Sequence, residues 1–133
     1  MASIFFSRVY DEAFGLLVEA RDYVAASMGE THISSDQRLA ISCESLRLTS
    51  RLTHIMAWLL VQRAVHTGEI SQTEALAEEH RLSGQNVCLT VETLFGAALP
   101  KALQSLMDRS YKLYLRIQRL DFSLSDRAPG IAC

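Results

Sequence analysis

The sequence predicts an all-α fold, an antiparallel bundle of three long helices with the last one kinked or split near Gly96-Pro100 to give a fourth segment. Three observations carry this expectation. The stretch from Ser34 to His66 holds neither proline nor glycine and keeps apolar residues at spacings of three and four, the period of a helical face. A second strong stripe of the same period runs from Leu99 to Leu120. Between the periodic stretches lie Gly29, Gly68 and Gly96-Pro100, residues that suit a left-handed helix end or the first turn of a new helix.

Residues 1–7 read as a short apolar lead-in, with Ser7 able to cap a first helix. That helix places Tyr10, Ala13, Phe14, Leu17, Ala20 and Val24 on one side, with Leu16 and Tyr23 at its edge. Asp11 and Glu12 fall near its start, the favourable end for acids, and Glu12, Glu19 and Asp22 point outward. Gly29 ends it. The short connection to Ile33 makes the first two helices antiparallel neighbours.

The second helix organises the rest. Ser34 followed by Gln37 is a capping box, in which the cap hydroxyl and the amide of the third residue satisfy each other's orphan groups. At about 1.5 Å per residue it is a rod roughly 45 Å long. Leu39, Cys43, Leu46, Thr49/Ser50, Thr53, Ala57, Leu60 and Ala64 form one line, expected to be the buried face, and Leu48, Leu52, Ile55 and Leu59 form a second beside it. From Ile55 to Val61 the helix is apolar all round, which requires burial on every side, by neighbouring helices and the N-terminus or by a second subunit. Ile55, Met56, Trp58, Leu59 and Leu60 are therefore the candidate dimer or core residues. The segment is too short to span a bilayer.

After Gly68, Ser71 and Glu74 make a second capping box. A third helix is expected through Ala75, Leu82, Leu89, Val91 and Leu94, weakened at Gly84 by roughly 1 kcal/mol relative to alanine and further by the β-branched Val87, Thr90, Val91 and Thr93. Pro100 opens the last helix, whose stripe is Leu99, Leu103, Leu106/Met107, Ser110, Leu113/Tyr114, Ile117 and Leu120. Lys101, Arg109, Lys112, Arg116 and Arg119 lie opposite. Residues 1–121 form one domain, and 122–133, of turn composition, a short flexible C-terminal tail.

Composition narrows function mainly by exclusion. With 49% hydrophobic and 21% charged residues over 133 positions, the chain can bury a core and is no disordered linker. A net charge of -2 supplies no global field for nucleic acid. Cys43, Cys88 and Cys133 have no metal-ligand spacing, which fits reduced thiols in a cytosol-like compartment. Met1 to Phe6 is too short and uncharged for a signal peptide, so a cytoplasmic location is expected.

No catalytic constellation stands out, and neither cofactor nor metal is expected. A carboxylate-bridged di-metal bundle needs glutamate three residues before histidine, and the residues there are Gly29, Arg51, Arg63 and Ala77 for His32, His54, His66 and His80. His54 reads as a hydrogen-bonded edge residue. There is no nucleophile elbow and no phosphate loop. Two cationic sets remain as candidate partner-docking residues: Arg47 with Arg51 on the second helix, and Arg109, Lys112, Arg116 and Arg119 on one face of the last. Each has a plainer alternative. Arg47 and Arg51 would also serve as an interhelical salt bridge to Glu12, Glu19 or Asp22, and the other four as a solvated face. A phosphate-backbone contact is the third reading of the basic face, ranked below both.

Tyr10-Asp11-Glu12-Ala13, Val18-Glu19-Ala20-Arg21-Asp22-Tyr23, Glu44-Ser45-Leu46-Arg47-Leu48-Thr49-Ser50-Arg51-Leu52-Thr53, Ala57-Trp58-Leu59-Leu60 with Gly68-Glu69-Ile70, and Leu99-Pro100 through Ser110-Tyr111-Lys112-Leu113-Tyr114 to Arg119-Leu120-Asp121 together resemble the alphaproteobacterial DUF1465 family, the group of the RcdA-like regulators of CtrA degradation. The resemblance covers roughly residues 8–121. It implies a homodimeric, non-enzymatic adaptor of regulated proteolysis in the cell cycle. Such a protein tethers protein cargo, or a further adaptor, to a ClpX-type unfoldase of ClpXP primed by a response-regulator-like adaptor. The location implied is cytoplasmic, with recruitment to a cell pole and no membrane association. A nucleic-acid-associated regulator and a purely structural or ligand-binding helical dimer are the alternatives.

Overall fold

The structure, a computed structural model, describes residues 2–27, 33–88 and 99–127. Three long helices dominate it: α1 (Ala2–Ser27), α2 (Ser35–His66) and, after two single turns α3 (Gln72–Ala75) and α4 (Gln85–Cys88), α5 (Lys101–Arg127). A 3-10 turn, Glu78–His80, lies between α3 and α4. The long helices pack pairwise, and α3 and α4 rest on α2. There is no strand among the described residues.

Side-chain pairings give the directions. Phe6 meets His66 and Tyr10 meets Arg63, so α1 runs against α2. Glu12 meets Arg116 and Glu19 meets Arg109, so α1 also runs against α5. Arg51 meets Ser110 and Trp58 meets Asp121, which makes α2 and α5 parallel.

Local chemistry explains most of the boundaries. Ser34 Oγ accepts the Gln37 amide at 3.1 Å, the cap anticipated for α2. At its other end Gly68 takes φ 78° while its N–H donates to Val65 O at 3.1 Å and that of Glu69 to Ala64 O at 2.9 Å. This pair of bonds closes a helix through a left-handed residue that only glycine adopts freely. The first helix differs from expectation: it starts at Ala2, so Ser7 is an exposed residue within it and not its cap. Phe6, packed on Trp58 and His66, ties the early turns to α2. Gly29 lies outside the described residues.

The buried face of α2 is also corrected. Leu48, Leu52, Ile55, Trp58 and Leu59 are inside, joined by Ala40 and Ile41. The line expected to be buried is instead the open one, with Leu46 71% and Leu60 49% exposed and Thr49, Thr53 and Ala57 exposed between them. Burial of Ile55–Val61 is consequently one-sided: Ile55, Trp58 and Leu59 are core, Met56 and Val61 half-buried, Ala57 and Leu60 open. On α1 the core residues are Val9, Ala13, Leu16 and Ala20, and Phe14 is exposed. The α5 stripe is as anticipated, with Leu103, Leu106, Ser110, Leu113, Tyr114 and Ile117 all buried.

The continuous third helix is not formed over its described part. Gly84 at φ 82° interrupts it, and the polar run from Glu78 to Arg81 offers no apolar face with which to hold a long helix down. Ala75, Leu82 and Cys88 reach the core from separate turns instead. Leu89, Val91, Leu94 and the expected break at Gly96 lie outside the described residues. Pro100 stands immediately before α5 and accepts the Gln104 amide at 3.0 Å. The helix then continues to Arg127, past the place where the sequence suggests a tail.

Candidate functional site

Arg51 is one of the two arginines singled out on α2, and it points inward. Its side chain is 1% exposed. Nε donates to Cys88 O at 2.8 Å, and Nη1 to Met107 O at 2.9 Å and to Ser110 Oγ at 3.0 Å. The guanidinium lies 5.3 Å from the centre of the Tyr111 ring. Burial pulls its pKa down from the usual arginine value. The five-donor fork of arginine suits it to gather carbonyls from separate elements, and here it ties α4 and α5 to α2. Arg51 is thus corrected from a docking residue to a structural one.

Arg47 binds neither Glu12, Glu19 nor Asp22 through an ion pair; its Nη1 lies 3.0 Å from Glu44 Oε2. Glu44, only 2% exposed, leaves Oε1 without a hydrogen-bond partner among the described residues. Asp121 is a second buried acid, accepting from Trp58 Nε1 at 3.0 Å and Arg81 Nε at 2.9 Å. Sequence reasoning missed both. For Glu44 a signal existed, since it precedes Leu48 and Leu52 at the i, i+4 spacing of the buried line.

Near this centre the Cys88 thiol, fully buried, stands 3.8 Å from His54 Nδ1. His54 donates from that nitrogen to Ser50 O at 2.7 Å, in keeping with an edge residue. Burial raises the Cys88 pKa and raises that of Tyr114, whose hydroxyl donates to Ser83 O at 2.7 Å. A protonated thiol closed off from solvent makes a poor nucleophile. Cys43 is half-buried on α2, and Cys133 lies outside the described residues.

The basic face of α5 is exposed and shared with α1. Arg109 grips Glu19 with two bonds of 2.8 Å, Arg116 pairs with Glu12, and Lys112 lies 3.0 Å from Asp108. The hydrogen bond to Arg109 lowers the Glu19 pKa. A shallow groove of about 380 Å³ runs along this face, lined by Leu113, Leu115 and the four cations with Glu12. The structure therefore brings Arg109, Lys112, Arg116 and Arg119 together and separates them from Arg47 and Arg51. A second cleft, of about 370 Å³, lies between α1 and α2, lined by the apolar or aromatic Phe6, Tyr10 and Leu59 and by Asp11, Arg63 and His66.

Among the described residues no group of three or more His, Cys, Asp or Glu is placed to hold a metal ion, and no helix is long and apolar enough to cross a membrane.

A family model described as "Protein of unknown function (DUF1465)" matches residues 1–132. The crystal structure of RcdA from Caulobacter crescentus CB15 superposes on the chain with a TM-score of 0.73, at 32% sequence identity and over 92% of both chains. No match is found among curated proteins.

Proposed function

This chain belongs to the DUF1465 family, and from that premise we propose that it is a non-enzymatic adaptor of cell-cycle-regulated proteolysis in the cytoplasm. It tethers protein cargo, or a further adaptor, to a ClpXP protease primed by a response-regulator-like adaptor. The observation that carries the reading is the likeness to RcdA in both sequence and fold over 92% of both chains. The described surface is consistent with a tether, which needs separate faces for separate partners. The α1/α5 face with Arg109, Lys112, Arg116 and Arg119 is one, suited to an acidic protein surface by steering and charge matching.

The open line on α2 is the other, and it meets a second copy of the chain. Leu39, Cys43, Leu46, Ser50, Thr53, Ala57, Leu60 and Ala64 alternate spacings of four and three throughout, the seam of a helix that pairs with another helix. Leu39, Leu46, Ala57 and Leu60 are exposed apolar positions along it, and apolar surface left open on one face of a domain can serve association. Nucleic-acid binding is disfavoured because three of the four α5 cations already have carboxylate neighbours.

The test is the rate at which the cognate ClpXP degrades a set of cargo proteins, with the unphosphorylated response-regulator-like adaptor present, as this protein is titrated in. The expected result is acceleration that requires the adaptor. No response from any cargo, with the protein folded, would overturn the reading.

A further inference from the structure

The cleft between α1 and α2 differs from the α5 groove in one respect: its ionisable side chains make no ion pair among the described residues. Among the described residues, Asp11 on α1 and Arg63 and His66 on α2 line this cleft, and none of the three takes part in an ion pair. The Arg63 guanidinium lies 6.0 Å from the centre of the Tyr10 ring, and the His66 and Phe6 rings meet in a T-shaped contact with centroids 5.6 Å apart. Leu59 reaches the cleft from the core, and Ser7 completes the lining. Beyond Tyr10 the aromatic wall continues to Phe14, stacked on it at 6.3 Å and half-exposed.

An apolar and aromatic cavity with a few converging polar groups is the usual form of a ligand site, and about 370 Å³ is at the small end of the range for one. That volume suits one bulky side chain with its flanking groups, not a whole helix. The acid and the bases stand on different helices, so the site complements a ligand that carries both signs of charge around an apolar centre.

We propose that this cleft holds a short peptide segment of a tethered protein, with a bulky apolar side chain between Phe6 and Tyr10, a carboxylate facing Arg63 and His66, and a cationic group facing Asp11. The identity of the partner as tethered cargo rests on the adaptor reading; the cleft's ability to take such a peptide does not.

The probes are end-blocked peptides: acetyl-Lys-Leu-Phe-Glu-amide, its reversed-charge order acetyl-Glu-Leu-Phe-Lys-amide, an uncharged form with glutamine at both ends, and a form with glycine in place of leucine and phenylalanine. They are titrated into the full chain and followed by amide NMR shifts and by the fluorescence of Trp58, the single tryptophan, whose ring lies 6.1 Å from that of Phe6. Saturable binding of at least one charged peptide is expected, with shifts centred on residues 6–14 and 59–66. The uncharged and glycine forms should bind at least about tenfold more weakly, as should the charged peptide to Arg63→Gln or Asp11→Asn. Lys101→Gln, at an exposed α5 position that does not line the cleft, should leave binding unchanged.

Absence of saturation with every charged probe would overturn the proposal, as would binding indifferent to Arg63→Gln. If Arg63→Gln instead alters self-association and leaves peptide binding intact, a second copy occupies the cleft and the proposal also fails. Peptide binding together with unaccelerated proteolysis would keep the cleft and remove the adaptor reading; the reverse pair of results would do the opposite.

Discussion

Arg51 and Glu44 are the residues that make this interior unusual, since a charge seldom enters a core without a full set of partners. Replacing Arg51 with methionine would remove the buried donor that Cys88 O, Met107 O and Ser110 Oγ share, and would take a compensating charge from Glu44. A loss of about 3 kcal/mol or more in urea unfolding is expected, and lysine, lacking the fork, should recover only part of it. A change under 1 kcal/mol, on the order of a surface substitution, would contradict the role assigned to Arg51. Cys88 and Tyr114 give a pH signature. Burial raises both pKa values in the folded state, so on alkalinisation the unfolded chain loses protons first. Stability should therefore fall as pH rises above the unfolded thiol value of about 8.5, by up to about 1.4 kcal/mol per pH unit for each such group. In Cys88→Ala the contribution beginning there should vanish, leaving the one that starts near the unfolded phenol value of about 10. Urea midpoints across that range, under reducing conditions, measure it.

At the level of elements, the two glycines of positive φ separate backbone strain from steric contact. A Cβ on Gly68 would meet nothing within 4 Å, whereas one on Gly84 would lie 2.8 Å from the His54 ring. Gly68→Ala should cost about 1–2 kcal/mol, the price of a left-handed alanine. Gly84→Ala should cost measurably more, and His54→Ala in the same chain should bring the two glycine effects close together. Equal losses at both sites in the wild-type background would rule out the contact with His54. The same residues show what was legible. Ser34, Gly68 and Ser71 signal their turns through local chemistry, and the structure has them as caps. Gly84 is only a weak helical residue by propensity, but its left-handed conformation beside the His54 imidazole breaks the expected third helix. The face of α2 is hidden in the sequence for a different reason. Its buried side contains Glu44, Arg51 and Gln62, so polarity disguised the core line, while Leu39, Leu46 and Leu60 made the outer line look like a core.

For the whole molecule, the parallel pairing of α2 and α5 leaves one long face of α2 unclaimed by the described helices. That geometry is not legible in the sequence, because the periodic stripes of α2 and α5 do not by themselves give the relative direction of the two helices. The docking set was legible only as cations in a row; which of them faced solvent depended on Arg51 filling the space between α4 and α5. The unclaimed face permits a decisive prediction about assembly. Leu46 is largely exposed, so Leu46→Asp should change the fold of an isolated chain little, by about 0.5 kcal/mol or less. In a dimer joined along the seam it would place two carboxylates within an apolar contact, and a stable interface must bury roughly 1,200–2,000 Å² with charges scarce at its centre. Sedimentation should then give twice 14.9 kDa for the wild type and 14.9 kDa for Leu46→Asp, with unchanged far-ultraviolet circular dichroism. Leu60→Asp should act in the same way, and Arg119→Ala, on α5, should remain dimeric. A wild type that sediments at 14.9 kDa at every concentration would remove the dimer. A Leu46→Asp chain that stays dimeric would move the interface elsewhere and free the α2 seam for another partner.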